Sequence, residues 1–242
     1  MVEACSGDWI GLAVVVGPGG IGSAVAAELA RSCPDLTVLT AGRHGAPDCS
    51  LRLDIENDGD LDGLAAILRD QAMPLRLVFN CTGRLHGPAL QPEKRLQQVN
   101  RSQLEQQFGI NAIAPILLAK AIEPLLERDQ PFHFASLSAR VGSIGDNRSG
   151  GWYGYRAAKA AQNQLLRSLS IEWARRWPMA TVSLLHPGTT DTALSRPFQS
   201  FVAPEKLFSP ERAARQLVKV MLQQTPAQSG AFLAWDGQSI DW

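Results

Sequence analysis

Val14-Val15-Val16-Gly17-Pro18-Gly19-Gly20-Ile21-Gly22 is the stretch that decides the fold. A β-branched run, Leu12–Val16, stops at a glycine cluster. Ser23–Arg31 follows, with Val25, Ala26, Leu29 and Ala30 on one side of a helix. Gly17, Gly19 and Gly22 satisfy G-x-G-x-x-G. At a strand–turn–helix junction, glycine permits the tight turn, the close approach of backbone to a pyrophosphate, and the packing of helix on strand. The helix N-terminus adds unpaired N–H groups and a partial positive charge that suit phosphate. Gly17, Gly19, Gly20, Ile21 and Gly22 are therefore candidate pyrophosphate contacts.

A dinucleotide site of this kind predicts an acid at the end of the second strand, on the ribose 2′-hydroxyl. That strand, Leu36–Thr40, runs into Ala41-Gly42-Arg43-His44, and Asp35 lies at its other end. Arg43 stands where a 2′-phosphate would lie, and a guanidinium matches phosphate in geometry and charge. The expected cofactor is NADP (NADPH) in preference to NAD.

The rest of the chain repeats the alternation. Strand-like runs occur at Leu51–Leu53, Leu75–Phe79, Phe132–Leu137, Thr181–Leu185 and Ala231–Trp235. Helical segments occur at Leu61–Asp70, Leu104–Leu126 with a kink expected at Pro115, Tyr155–Arg176 and Pro210–Gln223. Near-continuous apolar strands separated by helices predict an α/β, doubly wound parallel sheet with helices on both faces, a Rossmann fold. No repeat or linker divides it, so residues 1–242 read as a single domain.

Composition narrows the function. Of 242 residues, 23 are Lys or Arg and 23 are Asp or Glu. That balance lacks the basic excess of a nucleic-acid binder. No run of 18 apolar residues suggests a membrane span, and the N-terminus lacks the basic start of a signal peptide. A cytoplasmic location is the expectation. Cys5, Cys33, Cys49 and Cys81 form no C-x-x-C pair and read as small buried thiols. His44, His86, His133 and His186 lack metal-ligand spacing, so no metal is expected.

Tyr155-Arg156-Ala157-Ala158-Lys159 places a phenol and an ammonium one helical turn apart on one face. A neighbouring ammonium favours phenolate, which would bring the tyrosine pKa down towards a useful range for proton transfer. Tyr153, the other tyrosine, has no lysine four residues on.

With this pair, the chain resembles the short-chain dehydrogenase/reductase family over almost its whole length. The likeness covers the glycine turn, Asp54, Asn80-Cys81-Thr82-Gly83, Asn111, Ser138, Tyr155-x-x-x-Lys159 and Pro187-Gly188-Thr189. Residues 140–147, 150–156 and Trp235-Asp236-Gly237 look like the C-factor and sniffer carbonyl-reductase branch. The resemblance implies an oxidoreductase that moves hydride between nicotinamide and a carbonyl or alcohol. It makes Tyr155 the acid–base residue and has Lys159 lower its pKa and hold the nicotinamide ribose. Asn111 would anchor a proton-relay water, and a serine would polarise the carbonyl. Asp54 would meet adenine, Asn80 and Gly83 would line the cofactor cleft, and Pro187, Gly188, Thr189 and Thr192 would border the carboxamide or pyrophosphate.

The sequence departs from the family pattern in three places. The glycine turn is one residue shorter than the usual T-G-x-x-x-G-x-G, and Val16 replaces its threonine. Thr82 stands where a small residue is usual. Ala139 falls where the catalytic serine often lies, leaving Ser138 as the candidate, with Ser136 and Ser143 as alternatives. Thr192–Ser209 is rich in apolar residues and corresponds to the family's substrate-covering loop, which implies an apolar substrate. A homodimer or homotetramer is a further implication. The rival expectation is a dinucleotide-binding regulatory or signalling protein of the same fold without turnover.

Overall fold

The computed structural model describes residues 9–43 and 49–242; Cys5 and His44 lie outside them. Among the described residues the chain forms nine strands and six α-helices: β1 Gly11–Val16, α1 Ile21–Ser32, β2 Leu36–Gly42, β3 Leu51–Arg52, α2 Asp58–Arg69, β4 Leu75–Asn80, α3 Arg101–Phe108, α4 Ala114–Ile122, β5 Phe132–Leu137, α5 Tyr153–Arg176, β6 Ala180–His186, β7 Thr189–Thr190, β8 Leu207–Phe208, α6 Pro210–Leu222 and β9 Ala231–Ala234. Seven strands form one sheet in the order β3-β2-β1-β4-β5-β6-β9, and every pairing in it is parallel. The expected doubly wound sheet is what the chain forms. β7 and β8 pair separately, a two-residue ladder that the sequence pattern did not reveal.

Period-two alternation explains why both faces are covered. Leu12, Val14 and Val16 of β1 join the core under α2, α4 and α5, with Leu64, Leu118, Leu166 and Trp173. Ala13 and Val15 point to the opposite core with Val25, Leu29, Leu217 and Met221 of α1 and α6. Strand order reverses between β1 and β4, so a crevice opens beyond the carboxyl ends of these strands.

The segment after β4 departs from a kinked helix in an instructive way. α3 and α4 are joined by a π-turn, Gly109–Ile113. Pro115 has no N–H to give the carbonyl of residue 111, so the ordinary i→i−4 ladder cannot close there. The N–H of Ala114 bonds instead to Gly109 O, a five-residue step. The run Arg101–Leu125 is apolar enough, at mean hydropathy 1.4, to pass for a membrane span by length and composition. Its two halves pack on α5 and α2.

Cys33 is disulfide-bonded, which corrects the reading of all four cysteines as thiols. His133 on β5 is fully buried, with Nε2 2.6 Å from Ser183 Oγ. Ser183 in turn donates to Gln224 Oε1 at 2.8 Å. Burial holds the His133 imidazole down at about 3, against an ordinary 6.5.

Two predictions follow from this packing. Between pH 6.5 and about 3 the unfolded chain binds a proton at His133 that the folded protein refuses, so stability falls as pH drops through that window. The urea midpoint should therefore fall between about pH 7.5 and about pH 5, and fall less in His133→Gln. The second concerns glycine. A Cβ on Gly22 would lie 2.0 Å from the Gly17 carbonyl oxygen, whereas one on Gly63 of α2 meets nothing within 4 Å. Gly22→Ala should cost about 1–3 kcal/mol in chemical denaturation, and Gly63→Ala should gain up to ~1 kcal/mol from helix propensity.

Candidate active site

The glycine turn sits at the strand-order reversal and is closed by its neighbours. Gly17 has φ +85° and Gly20 has φ +47°. The Ser23 hydroxyl donates to the Pro18 carbonyl, a closure the sequence reading missed. Gly20 is the N-cap of α1 and brings no side-chain cap, and the first turn carries no acid. Gly22 N donates to Gly19 O at 2.9 Å within the turn, and no acid or side-chain cap opposes the positive end of the helix. Added β-carbons would strike Thr82 at Gly17 and Thr192 at Gly20, both 2.9 Å away, while Gly19 faces open space. The turn, though shorter than the family's usual one, is a cradle that fits a pyrophosphate.

The neighbouring candidates take distinct places. A β-carbon on Gly42 would lie 2.8 Å from Pro18 Cδ, so the end of β2 abuts the turn and the exposed Arg43 follows directly. Asp54 lies half-buried after β3, its Oδ1 accepting from Glu56 N at 3.0 Å. Asn80 is fully buried and donates to Ser136 Oγ at 2.9 Å. Its Oδ1 accepts from Thr82 N and Thr82 Oγ1, so this side chain shapes the loop below the cleft. Pro187 and Gly188 follow β6, Gly188 at φ +75° against Phe208 and Trp235, and Thr189 pairs with Leu207.

Tyr155, Lys159 and Asn111 converge across this crevice. A β-carbon on Gly83 would lie 3.3 Å from Asn111 Oδ1 and 3.8 Å from Lys159 Nζ. Asn111 lies in the π-turn and is fixed on both sides: Nδ2 donates to Arg84 O at 2.8 Å and Gln107 Oε1 at 2.7 Å, and Oδ1 accepts from Arg84 N. Lys159 Nζ lies 6.0 Å from the Tyr155 ring centroid. It donates to Leu137 O at 2.9 Å and Gln162 Oε1 at 2.8 Å. The start of α5 is held from outside. Glu93, in the loop after β4, accepts Gly154 N on its carboxylate and Trp152 N on its carbonyl.

Electrostatics depart from the expectation drawn from Tyr–Lys spacing. Burial pushes the Tyr155 phenol up and brings the Lys159 ammonium down to about 7, from an ordinary 10.5. Desolvation penalises each charged form, and the ammonium spends two protons on neutral acceptors away from the phenol. Ser138, buried, donates to Asn163 Oδ1 at 2.6 Å. Ser136 accepts from Asn80 and Gln162. Ser143 accepts from Asp146 N. Trp152 lies edge-on to both Tyr155 (6.3 Å) and Phe198 (4.9 Å). His86 touches Phe198 and lies 3.1 Å from Ala193 O, tying the Thr192–Ser209 segment to this side.

Known proteins agree with this architecture. Residues 17–240 match the family model described as enoyl-(acyl carrier protein) reductase. The chain is 30% identical over 190 residues to 1-hydroxy-2-glutathionyl-2-methyl-3-butene dehydrogenase of Rhodococcus sp. strain AD45, covering 78% of each chain. It is 32% identical over 147 residues to C-signal of Myxococcus xanthus, covering 61% of this chain and 83% of that one. The structure of carbonyl reductase Sniffer of D. melanogaster superposes with TM-score 0.80 at 24% identity, covering 96% of this chain and all of that one. A short-chain dehydrogenase/reductase from Burkholderia multivorans with bound NADP does so with TM-score 0.76 at 25% identity, covering 96% and 99%. With the family model matched over residues 17–240, the chain is an enzyme of the short-chain dehydrogenase/reductase family, similar in sequence to C-signal and in fold to carbonyl reductase Sniffer.

Proposed function

We propose that this enzyme is an NADPH-dependent reductase of an apolar carbonyl compound. The observation that carries the reading is the convergence of Tyr155, Lys159, Asn111 and Gly83 on one crevice beside the glycine cradle. Gly17, Gly19, Gly20, Ile21 and Gly22 would hold the pyrophosphate, and Asp54 the adenine. Gly83, Gly188, Thr189 and Thr192 would line the nicotinamide half. Arg43 supports NADP: it is exposed at the end of β2, where an acid would repel a 2′-phosphate. When bound, the nicotinamide supplies hydride to the carbonyl carbon.

The chain's own residues supply the rest. Tyr155 gives its proton to the carbonyl oxygen as negative charge develops there. Burial pushes the Tyr155 phenol up, so at neutral pH it carries the proton that a carbonyl reduction needs. Lys159 presents positive charge to the ribose and the phenol, and Asn111 anchors the relay behind it. Ser138 is the polarising hydroxyl. Its hydroxyl donates to Asn163 Oδ1, but Asn163 Nδ2 has no partner. A half-turn of that amide gives Ser138 Oγ a donor and frees its proton for substrate. The Trp152–Phe198 wall beside Tyr155 supports an apolar carbonyl.

Tyr155→Phe should reduce turnover of NADPH with a carbonyl panel by about 10²–10⁴-fold while leaving cofactor affinity, read by NADPH fluorescence, near wild type. Turnover close to wild type would remove Tyr155 from the mechanism. Arg43→Ala should weaken NADPH by about tenfold or more, as loss of a charge-assisted contact of ~1.5–3 kcal/mol implies, with NADH little changed. Equal losses for both cofactors would remove the case for NADP.

A further inference from the structure

The mechanism leaves Gln162 unused, yet it is fully buried one turn beyond Lys159 on the same face of α5. Residues 155, 159 and 162 follow the i, i+4, i+7 spacing of one helical stripe. Gln162 Oε1 accepts Lys159 Nζ at 2.8 Å. Its Nε2 donates to Ser136 Oγ at 2.8 Å and Leu137 O at 3.2 Å.

These partners fix which way the amide points. Leu137 O can only accept. Turning the amide over would set Oε1 against that carbonyl and the NH₂ group against the ammonium, two repulsive contacts in place of two attractive ones. Ser136 is itself held by Asn80 Nδ2, and Asn80 by Thr82. The chain Thr82–Asn80–Ser136–Gln162 thus anchors the amide to the loop that borders the glycine cradle.

We propose that Gln162 is a positioning residue for Lys159: with Leu137 O it engages two of the three ammonium N–H bonds and leaves the third for the crevice. The assignment rests on the role of Lys159 proposed above. Tyr155 is the titratable group that faces Lys159, from its own helix. β5 presents the Leu137 carbonyl, the β4 loop presents Gly83, and the short helix Arg140–Gly142 packs Gly142 on the lysine stem. Burial alone depresses this lysine, and no carboxylate among the described residues contributes. A neutral acceptor at 2.8 Å is then a principal support of the charged form.

The chain has five lysines, at 94, 120, 159, 206 and 219. Selective ¹³Cε-lysine labelling can therefore follow each ammonium by NMR, with Lys159→Met assigning the resonance. In the cofactor-free protein, Gln162→Leu should lower the Lys159 titration midpoint by about one unit, a tenfold change in its charged-to-neutral ratio. Gln162→Glu, which offers a carboxylate at the same place, should raise it. The alkaline limb of NADPH turnover should move the same way in each variant. Gln162→Met replaces Gln162→Leu if that variant does not fold. Midpoints that stay unchanged, or move in one direction in both variants, overturn the assignment and leave the proposed reductase activity standing. Failure of wild-type protein to turn over any carbonyl overturns the activity and leaves the NMR result to decide Gln162.

Discussion

The contact between Gly22 and the Gly17 carbonyl is the constraint on which the rest of the structure turns. With 2.0 Å available where a β-carbon would sit, α1 can approach the end of β1 only because position 22 has no side chain. Once that approach is made, other elements register on the same turn. Pro18 meets Gly42 at the end of β2, Thr82 after β4 closes on Gly17, and Thr192 lies over Gly20. Four distant segments are thereby brought to one point at the sheet's reversal, and the crevice is the space they leave.

The opposite wall obeys a different rule. α5 is tied to the sheet through polar groups as well as apolar ones. Lys159, Gln162 and Asn163 are all buried on it, and each reaches β5 or the residue beyond it. Buried polar groups are costly unless paired, but once paired they fix a single arrangement. Leu166, Leu169 and Trp173, further along the same helix, supply the apolar packing against Phe132 and Phe134. The helix thus separates its tasks along its length, with chemistry at its N-terminal end and adhesion at its C-terminal end.

This division explains how much was legible in the sequence. The near-continuous apolar runs of β1, β4 and β5, the glycine turn and the Tyr155–Lys159 spacing are local signals, and each led to the correct element. Features that depend on partners far along the chain were not visible. Gln162 reads as one more polar residue on a helix until Ser136 and Leu137 are placed beneath it. Glu93 reads as a loop carboxylate until it is seen capping α5 at Gly154. The spacing argument for Tyr155 also gave the wrong sign for its pKa in this structure, because proximity is visible in sequence and desolvation is not. The π-turn had a readable cause in Pro115, but a missing N–H can be answered by a kink or by a wider turn, and the surroundings chose the second.

That wider turn makes Gly109–Ile113 a place where chain length carries information. A π-turn is one extra residue wound into a helix, and it offsets the two flanking segments by about 100° of rotation. α3 can therefore face α5 while α4 turns its apolar row towards α2. Asn111 sits at the seam. Removing one residue there would take out the wide turn and misalign one half of the helix with its partner. Helices ordinarily tolerate substitution more readily than they tolerate change of phase, so this segment can vary in identity at its one exposed position, Ile113, but not in count.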